Sequence, residues 1–326
     1  MRVHYDIENL PQFNKAVITI GTFDGVHLGH KKIIEKLIAT AKDINGETII
    51  ITFHPHPRKI VSTNADNVWL INTLEEKLIL LANLGIHHVV VVPFNQAFSN
   101  QSADAYIKDF LVKKFQPHTI IIGHDHRFGK GRSGDFLLLE KMSAELNYIL
   151  EEIPKQMLDE IGISSTIIRQ SILNGNVAKA EQLLGYQFFF SGQVVKGKQL
   201  GRTLGYPTAN LFINEKEKII LGNGVYAVYA QVSEKSTIKN QQEFLTNYDQ
   251  SKNDFIKGMM NIGLRPTVNG IERSIEVNLF DFDADIYEQD LTVIVKKFLR
   301  AEQKFGSLDL LVKQLAIDKI ESLKYL

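Results

Sequence analysis

The sequence contains no cysteine, one tryptophan and only eight prolines in 326 residues. Without cysteine there is no disulfide, no thiolate metal site and no Cys nucleophile. Charge of either sign is equally lacking in surplus, since 37 Lys plus Arg balance 37 Asp plus Glu. Affinity for a nucleic-acid backbone comes from clustered excess Lys and Arg, so no nucleic-acid partner is expected. No run approaches the roughly 20 consecutive apolar residues that span a bilayer, and no membrane partner is expected either. Met1–Lys15 is polar and lacks the apolar centre of a secretory signal. These absences point to a soluble, cytoplasmic protein. At 44% hydrophobic and 23% charged residues the chain is ordinary for a globular protein, and its length implies two domains.

The first part alternates short apolar runs with helical periodicity. Ala16–Ile20, Thr48–Phe53, His88–Val92 and Thr119–Ile122 read as strands whose continuous apolar character suits burial on both faces. Stripes at helical spacing lie between them: Leu28, Ile34, Leu37, Ile38 and Ala41; Leu74, Leu78, Leu81 and Ala82; Ile107, Phe110 and Leu111. That alternation predicts an α/β domain with a parallel sheet. From about Phe188 the pattern changes to closely spaced strands at Gly192–Val195, Gly224–Val232, Ile256–Ile262, Arg273–Asp281 and Leu291–Leu299. They predict a small antiparallel β-barrel, closed by an amphipathic helix over Leu308–Leu323. Asn176 reads as an N-cap and Gly185 as a C-cap of a short helix at the junction, which places the domains at 1–184 and 185–326. Ser233–Asp254 is polar and reads as a surface loop or hairpin extension.

The first strand runs into Gly21-Thr22-Phe23-Asp24-Gly25-Val26-His27-Leu28-Gly29-His30. In an open α/β sheet the first strand-to-helix turn is a phosphate site, because backbone N–H groups and the positive helix end point into it. The spacing is neither GxGxxG nor a Walker loop. Two histidines three apart at a helix start share a face, and both can donate to a phosphate. A lone HxxH would more simply be a pair of exposed histidines; three glycines in the same turn shift the balance. Downstream, Ile163-Ser164-Ser165-Thr166-Ile167-Ile168-Arg169 reads on its own as a capped helix start with an exposed arginine.

The turn resembles the nucleotide-binding signature of the HxGH nucleotidyltransferase superfamily, in the form found in bacterial bifunctional riboflavin kinase/FAD synthetases. ISSTIIR resembles the superfamily's second signature. The resemblance implies a Rossmann-like first domain that adenylylates FMN with ATP, giving FAD and pyrophosphate. No enzyme nucleophile takes part: the FMN phosphate attacks the α-phosphorus directly, and the protein positions groups and neutralises charge. It implies catalytic roles for His27, His30 and Arg169, and ATP contacts from Gly21, Phe23, Asp24, Gly29, Ser165 and Thr166. Phe53-His54-Pro55-His56-Pro57 is by itself a stiff strand exit. The resemblance makes Pro55, His56 and Pro57 flavin-site residues, together with Asp125 in Gly123-His124-Asp125-His126-Arg127-Phe128-Gly129. His126 departs from the family pattern, where an aromatic Phe is common. Gly129–Gly134 reads as a solvated basic loop.

In the second part, Leu204-Gly205-Tyr206-Pro207-Thr208-Ala209-Asn210 follows a loop bearing Gly197, Gly201 and Arg202. Taken alone, PTAN is a proline turn entering a strand. Thr and Asn two residues apart on extended chain face the same way and offer hard oxygens to one cation. The segment resembles the riboflavin kinase signature, implying ATP contacts from Gly197, Gly201, Arg202 and Pro207 and a Mg²⁺ held by Thr208 and Asn210. Ser274–Phe282 alternates, with Ser274, Glu276 and Asn278 opposite the apolar face; bare pattern sends them to water. The resemblance instead implies that Glu276 is the base for riboflavin phosphorylation. Asn278 stands where the family often has His, and Asn261–Thr267 resembles a loop near the flavin. The expected ligands are riboflavin, FMN, FAD, ATP and Mg²⁺, and a homo-oligomer is compatible with the sequence. Two other readings stay open at this point: a single retained activity, and a non-catalytic flavin-binding protein on the same scaffold.

Overall fold

The computed structural model describes residues 1–61, 69–123, 125–153, 163–197, 199–233, 255–267 and 270–326. The chain folds into two compact units, one of Met1–Trp69 with Leu74–Ser164, the other of Leu70–Thr73 with Ser165–Leu326.

In the first unit, β1 (Arg2–His4), β2 (Val17–Ile20), β3 (Thr48–His54), β4 (His88–Pro93), β5 (Thr119–Gly123) and β6 (Ile149–Ile153) form one sheet. The strands lie in the order β1-β4-β3-β2-β5-β6, and every pairing is parallel. All of β2 and the first five residues of β3 are buried, which is why their sequences are continuously apolar. β1 and β6 are the edges; three residues in one and two glutamates in the other keep them below the apolar signal of a central strand. The helix Leu28–Asp43 buries Ile34, Leu37 and Ala41. The third apolar stripe departs from the expected α-helix: Tyr106–Val112 is a π-helix, with Ile107, Phe110 and Leu111 all buried. Tyr106 with Phe110 and Ile107 with Leu111 are four apart, a spacing that stays on one face at either winding, so it does not separate the two. Strand order reverses between β2 and β5. Outside the carboxyl ends of strands at such a reversal, open α/β sheets bind their ligands.

At the opposite end of the sheet, His4 Nε2 lies 3.0 Å from His88 Nδ1, and His88 Nε2 lies 3.4 Å from Glu47. Burial holds both imidazoles below their ordinary value, and it pushes His126 down to about 4. Between such a folded value and the unfolded 6.5 the unfolded chain binds more protons, so stability rises with pH there. The first unit should therefore keep its full histidine contribution above about pH 6.5 and lose it progressively toward about pH 4. Its melting midpoint, followed against pH, should fall by several degrees over that window; a flat profile would contradict the burial of these rings.

In the second unit, β7 (Phe189–Val195), β8 (Ala209–Phe212), β9 (Gly224–Ser233), β10 (Ile256–Thr267), β11 (Gly270–Leu279) and β12 (Asp290–Arg300) close into a barrel. The order is β10-β11-β8-β7-β12-β9, with β9 paired back to β10 and every pairing antiparallel. β8 begins inside the PTAN segment, at Ala209, and runs to Phe212; it is the strand that the proline turn enters. Asn261–Thr267, expected as a loop, is instead the second half of β10, paired along its length with β11. The helix Leu308–Leu323 starts at Ser307, whose side chain accepts from the Leu310 N–H. Helices Ser165–Leu173 and Val177–Leu184 belong to this unit; Asn176 caps the second through the Lys179 N–H, and Gly185 ends it at φ 70°. Leu70–Thr73 is held here by the buried Lys218, whose Nζ donates to the Ile71 carbonyl at 2.7 Å. The polar stretch beyond Ser233, residues 234–254, lies outside the described residues.

Candidate active sites

In the first unit the turn after β2 is built on unusual backbone. Phe23, Gly25 and Val26 sit at φ 49°, 89° and 36°. His27 then caps the helix: its Nδ1 accepts from the His30 N–H at 3.3 Å. An imidazole that accepts at Nδ1 leaves Nε2 to carry the proton, so His27 presents an Nε2–H donor. The His27 and His30 rings stack with centroids 3.7 Å apart, and Phe23 meets His30 edge-on at 5.2 Å. Gly29 makes this stack fit, since a Cβ there would come within 3.2 Å of the His27 ring. A Cβ at Gly21 would come within 3.1 Å of the Phe23 ring. Asp24 and His27 are buried. His30 Nδ1 is buried with no hydrogen-bond partner among the described residues. Burial, reinforced by the nearby His27 and Lys77, holds His30 well below the ordinary imidazole range. It is neutral at pH 7. A buried polar atom left without a partner marks a place where a ligand would be satisfied.

Behind the turn lies a residue that sequence reasoning passed over. Lys77, on the helix Leu74–Ala82, donates from Nζ to the Thr22 carbonyl at 3.0 Å and to Thr52 Oγ1 at 2.9 Å. Its side chain is buried, and burial brings the ammonium down to about 8 against the attraction of Asp24. The only signal in the sequence is a lysine in a segment that is otherwise largely apolar.

The other expected first-unit residues leave the same ends of neighbouring strands. Pro55, His56 and Pro57 follow β3, with His56 Nδ1 accepting from the Arg58 N–H at 3.2 Å. Asp125 follows β5 and is exposed, while His124 lies outside the described residues. The His126 ring sits 5.7 Å from that of Phe128, so an aromatic contact persists despite the departure from Phe. Lys130–Arg132 is a single 3₁₀ turn. Ser165, Thr166 and Arg169 lie on the helix Ser165–Leu173, in the second unit.

In the barrel unit the expected residues converge. Glu276 lies opposite Asn210 across the β11–β8 pairing and opposite Asn261 across β10–β11. Thr208 Oγ1 donates to Glu276 Oε2 at 3.3 Å. A Cβ on Gly197 would fall 2.2 Å from the Asn210 amide, and one on Gly201 would fall 2.2 Å from the Tyr206 carbonyl. Both glycines are therefore required by close approach, not merely by a turn. Arg202 sits beside them in the short helix Leu200–Thr203. Asn278 corrects the bare alternation pattern. It is buried, and its Nδ2 donates to the Pro207 carbonyl at 2.7 Å, tying β11 to the residue before Thr208. Thr208, Asn210, Glu276 and Asn278 all line one cleft of about 350 Å³, within the size range of small-molecule sites. Met259, Phe305 and Leu315 supply apolar lining. Arg300, also in the lining, grips the buried Asp318 of the closing helix through two bonds of 2.8 and 2.7 Å. Among the described residues no group of three or more His, Cys, Asp or Glu could hold a metal.

Residues 10–167 match the family model for FAD synthetase, and residues 184–326 match that for riboflavin kinase. A bifunctional riboflavin kinase/FMN adenylyltransferase from Escherichia coli K12 is 36% identical over 328 residues, covering 100% of this chain and 98% of the relative. The chain belongs to the bifunctional riboflavin kinase/FMN adenylyltransferase family. Its relative of the same description from Bacillus subtilis 168 is 33% identical, covering 95% of this chain and 92% of that one. A solved structure described as a macrolide-efflux protein from Streptococcus pneumoniae superposes with a TM-score of 0.81 at 27% identity, over 100% of this chain and 99% of that one. Among the described residues no helix is long and apolar enough to cross a membrane.

Proposed function

We propose that this chain makes both flavin cofactors in turn. The barrel unit phosphorylates riboflavin to FMN with ATP, and the first unit adenylylates FMN to FAD. We keep the functional boundary at residues 1–184 and 185–326, a division supported by the two matched segments, 10–167 and 184–326. The observation that carries the kinase reading is the meeting of Thr208, Asn210 and Glu276 in one cleft, produced by strand pairing between segments far apart in sequence.

In phosphoryl transfer the ribityl terminal hydroxyl attacks the ATP γ-phosphorus as the bond to ADP breaks. Glu276 takes the hydroxyl proton, with Thr208 orienting its carboxylate. Thr208 Oγ1 and the Asn210 side-chain oxygen are the hard donors that would hold Mg²⁺; the space kept clear by Gly197 accommodates the Asn210 amide they depend on. Such a pair, without a carboxylate cage, suits an ion that keeps waters and binds through substrate phosphates. When bound, Mg²⁺ supplies charge neutralisation on the transferred group. In adenylyl transfer an FMN phosphate oxygen attacks the ATP α-phosphorus and pyrophosphate leaves. The His27 Nε2–H, His30 and the N–H groups of the first helical turn donate to the triphosphate. Pro55, His56, Pro57 and Asp125 leave neighbouring strand ends and are the proposed flavin side of this site. The cytoplasm is the proposed location.

Asn278 serves the kinase by holding Pro207 in place. Asn278→Leu removes the buried amide that donates to the Pro207 carbonyl, a hydrogen bond contributing about 0.5–1.5 kcal/mol. FMN formation should drop by about tenfold or more through displaced Thr208, while FAD formation from supplied FMN is unchanged. Separate rate measurements with riboflavin and with FMN check this; an unaltered kinase rate would show that the amide holds nothing of consequence. Chromatographic identification of the flavins formed from riboflavin and Mg-ATP tests the function as a whole.

A further inference from the structure

We propose that Lys77 is a positioning residue for adenylyl transfer, its ammonium clamping the Thr22 carbonyl and the Thr52 hydroxyl so that the turn receiving the ATP phosphates is held in its strained form. The inference rests on the adenylyltransferase reading of the first unit. A lysine is almost never fully buried unless paired, because an ammonium taken out of water loses several kcal/mol of hydration. Lys77 is only 8% exposed. Its bonds close a triangle. Nζ reaches the Thr22 carbonyl at 3.0 Å and Thr52 Oγ1 at 2.9 Å, and Thr52 Oγ1 itself donates to the Thr22 carbonyl at 3.2 Å. One backbone oxygen thus receives two donors from two other elements, β3 and the helix Leu74–Ala82.

That oxygen immediately precedes the unusual backbone. Phe23 and Val26 are non-glycine residues in the left-handed region, and for a β-branched valine this conformation is a true outlier. Backbone of this kind persists only where its surroundings over-determine it. The Lys77 clamp fixes the entry to the turn, as the His27 cap fixes its exit. Charge gives the second reason. Asp24 is a carboxylate only 5% exposed, in the turn that is to receive a polyanion. Left unbalanced it would repel the triphosphate, and Lys77 supplies the balancing charge from behind. The groups facing Lys77 are Asp24 from the turn and His30 from the first helix, with Glu76 beside it on its own helix. Lys77 acts on the substrate only through the turn.

The test compares steady-state rates of Lys77→Met, Lys77→Arg and Thr52→Val with wild type, in the full chain, using ATP with FMN and ATP with riboflavin. Lys77→Met should lower kcat/KM for ATP in FAD formation by about 100-fold through a raised KM for ATP. The KM for FMN and the riboflavin phosphorylation rate should not move. Lys77→Arg, which keeps the charge, should recover about tenfold of the loss. FAD formation by Lys77→Met within about threefold of wild type overturns the inference, as does a parallel rise in both KM values, which marks general loosening. Should Lys77→Met not fold, Thr52→Val decides, because it removes one acceptor of the ammonium and keeps the side-chain shape. It should raise the KM for ATP by about tenfold, and an unchanged KM overturns the clamp. A wild-type protein that makes no FAD from FMN overturns the adenylyltransferase reading and the inference with it. Active wild type with equally active Lys77→Met overturns the inference alone.

Discussion

Glu276→Gln should lower the rate of FMN formation from riboflavin by about 10³-fold while FAD formation from supplied FMN continues at the wild-type rate. The substitution keeps the shape of the side chain and an oxygen able to accept from Thr208, so the cleft that Thr208, Asn210 and Asn278 line should survive. What it removes is the capacity to take a proton. An amide cannot act as the base for the ribityl hydroxyl, and a loss of this size is what a positioned base contributes. The effect should fall on kcat, because ground-state contacts to ATP are preserved. The measurement is a pair of rates in one polypeptide, one starting from riboflavin and the other from FMN. Equal loss of both would sink the assignment of the two reactions to separate sites.

His30→Ala should do the reverse, reducing FAD formation by about 10²- to 10³-fold with riboflavin phosphorylation intact. The alanine removes both the ring stacked on His27 and the buried Nδ1 that no described residue satisfies. The pH profile of the unaltered protein carries a second expectation. Burial, the neighbouring His27 and Lys77 together hold His30 well below 6.5. A base with a lowered value stays neutral through neutral pH and protonates only under more acid conditions. FAD formation should therefore show no inflection near pH 6.5 that His30→Ala abolishes. An inflection there, lost in the variant, would mean that the ring is solvated and not buried.

Much of this fold was legible because its central strands are buried on both faces. Val17–Ile20 and Thr48–His54 could read as little else. The edges β1 and β6 escaped for the opposite reason: short or half-polar strands are defined by their pairing partners, not by their own pattern. The winding of Tyr106–Val112 escaped because a spacing of four, as in Ile107 and Leu111, stays on one face of α and π helices alike. At the sites, glycines, histidines and the PTAN segment announced themselves by local chemistry. Glu276 needed strand pairing to show that its outward face was a cleft and not water. Asn278 looked like a weakened position and proves to be a buried tie to Pro207. Lys77 was invisible, since its acceptors Thr22 and Thr52 are 55 and 25 residues away and only folding brings them together.

The most direct measurement is a time course of flavin products from purified protein, riboflavin and Mg-ATP, repeated with FMN in place of riboflavin. The account predicts FMN first and FAD after it in one reaction, and FAD alone in the other. FMN that accumulates without FAD would contradict the role given to the turn after β2, with His126 the first residue to examine. Flavin binding without any turnover would contradict the account as a whole and leave a binding protein on an enzyme's scaffold.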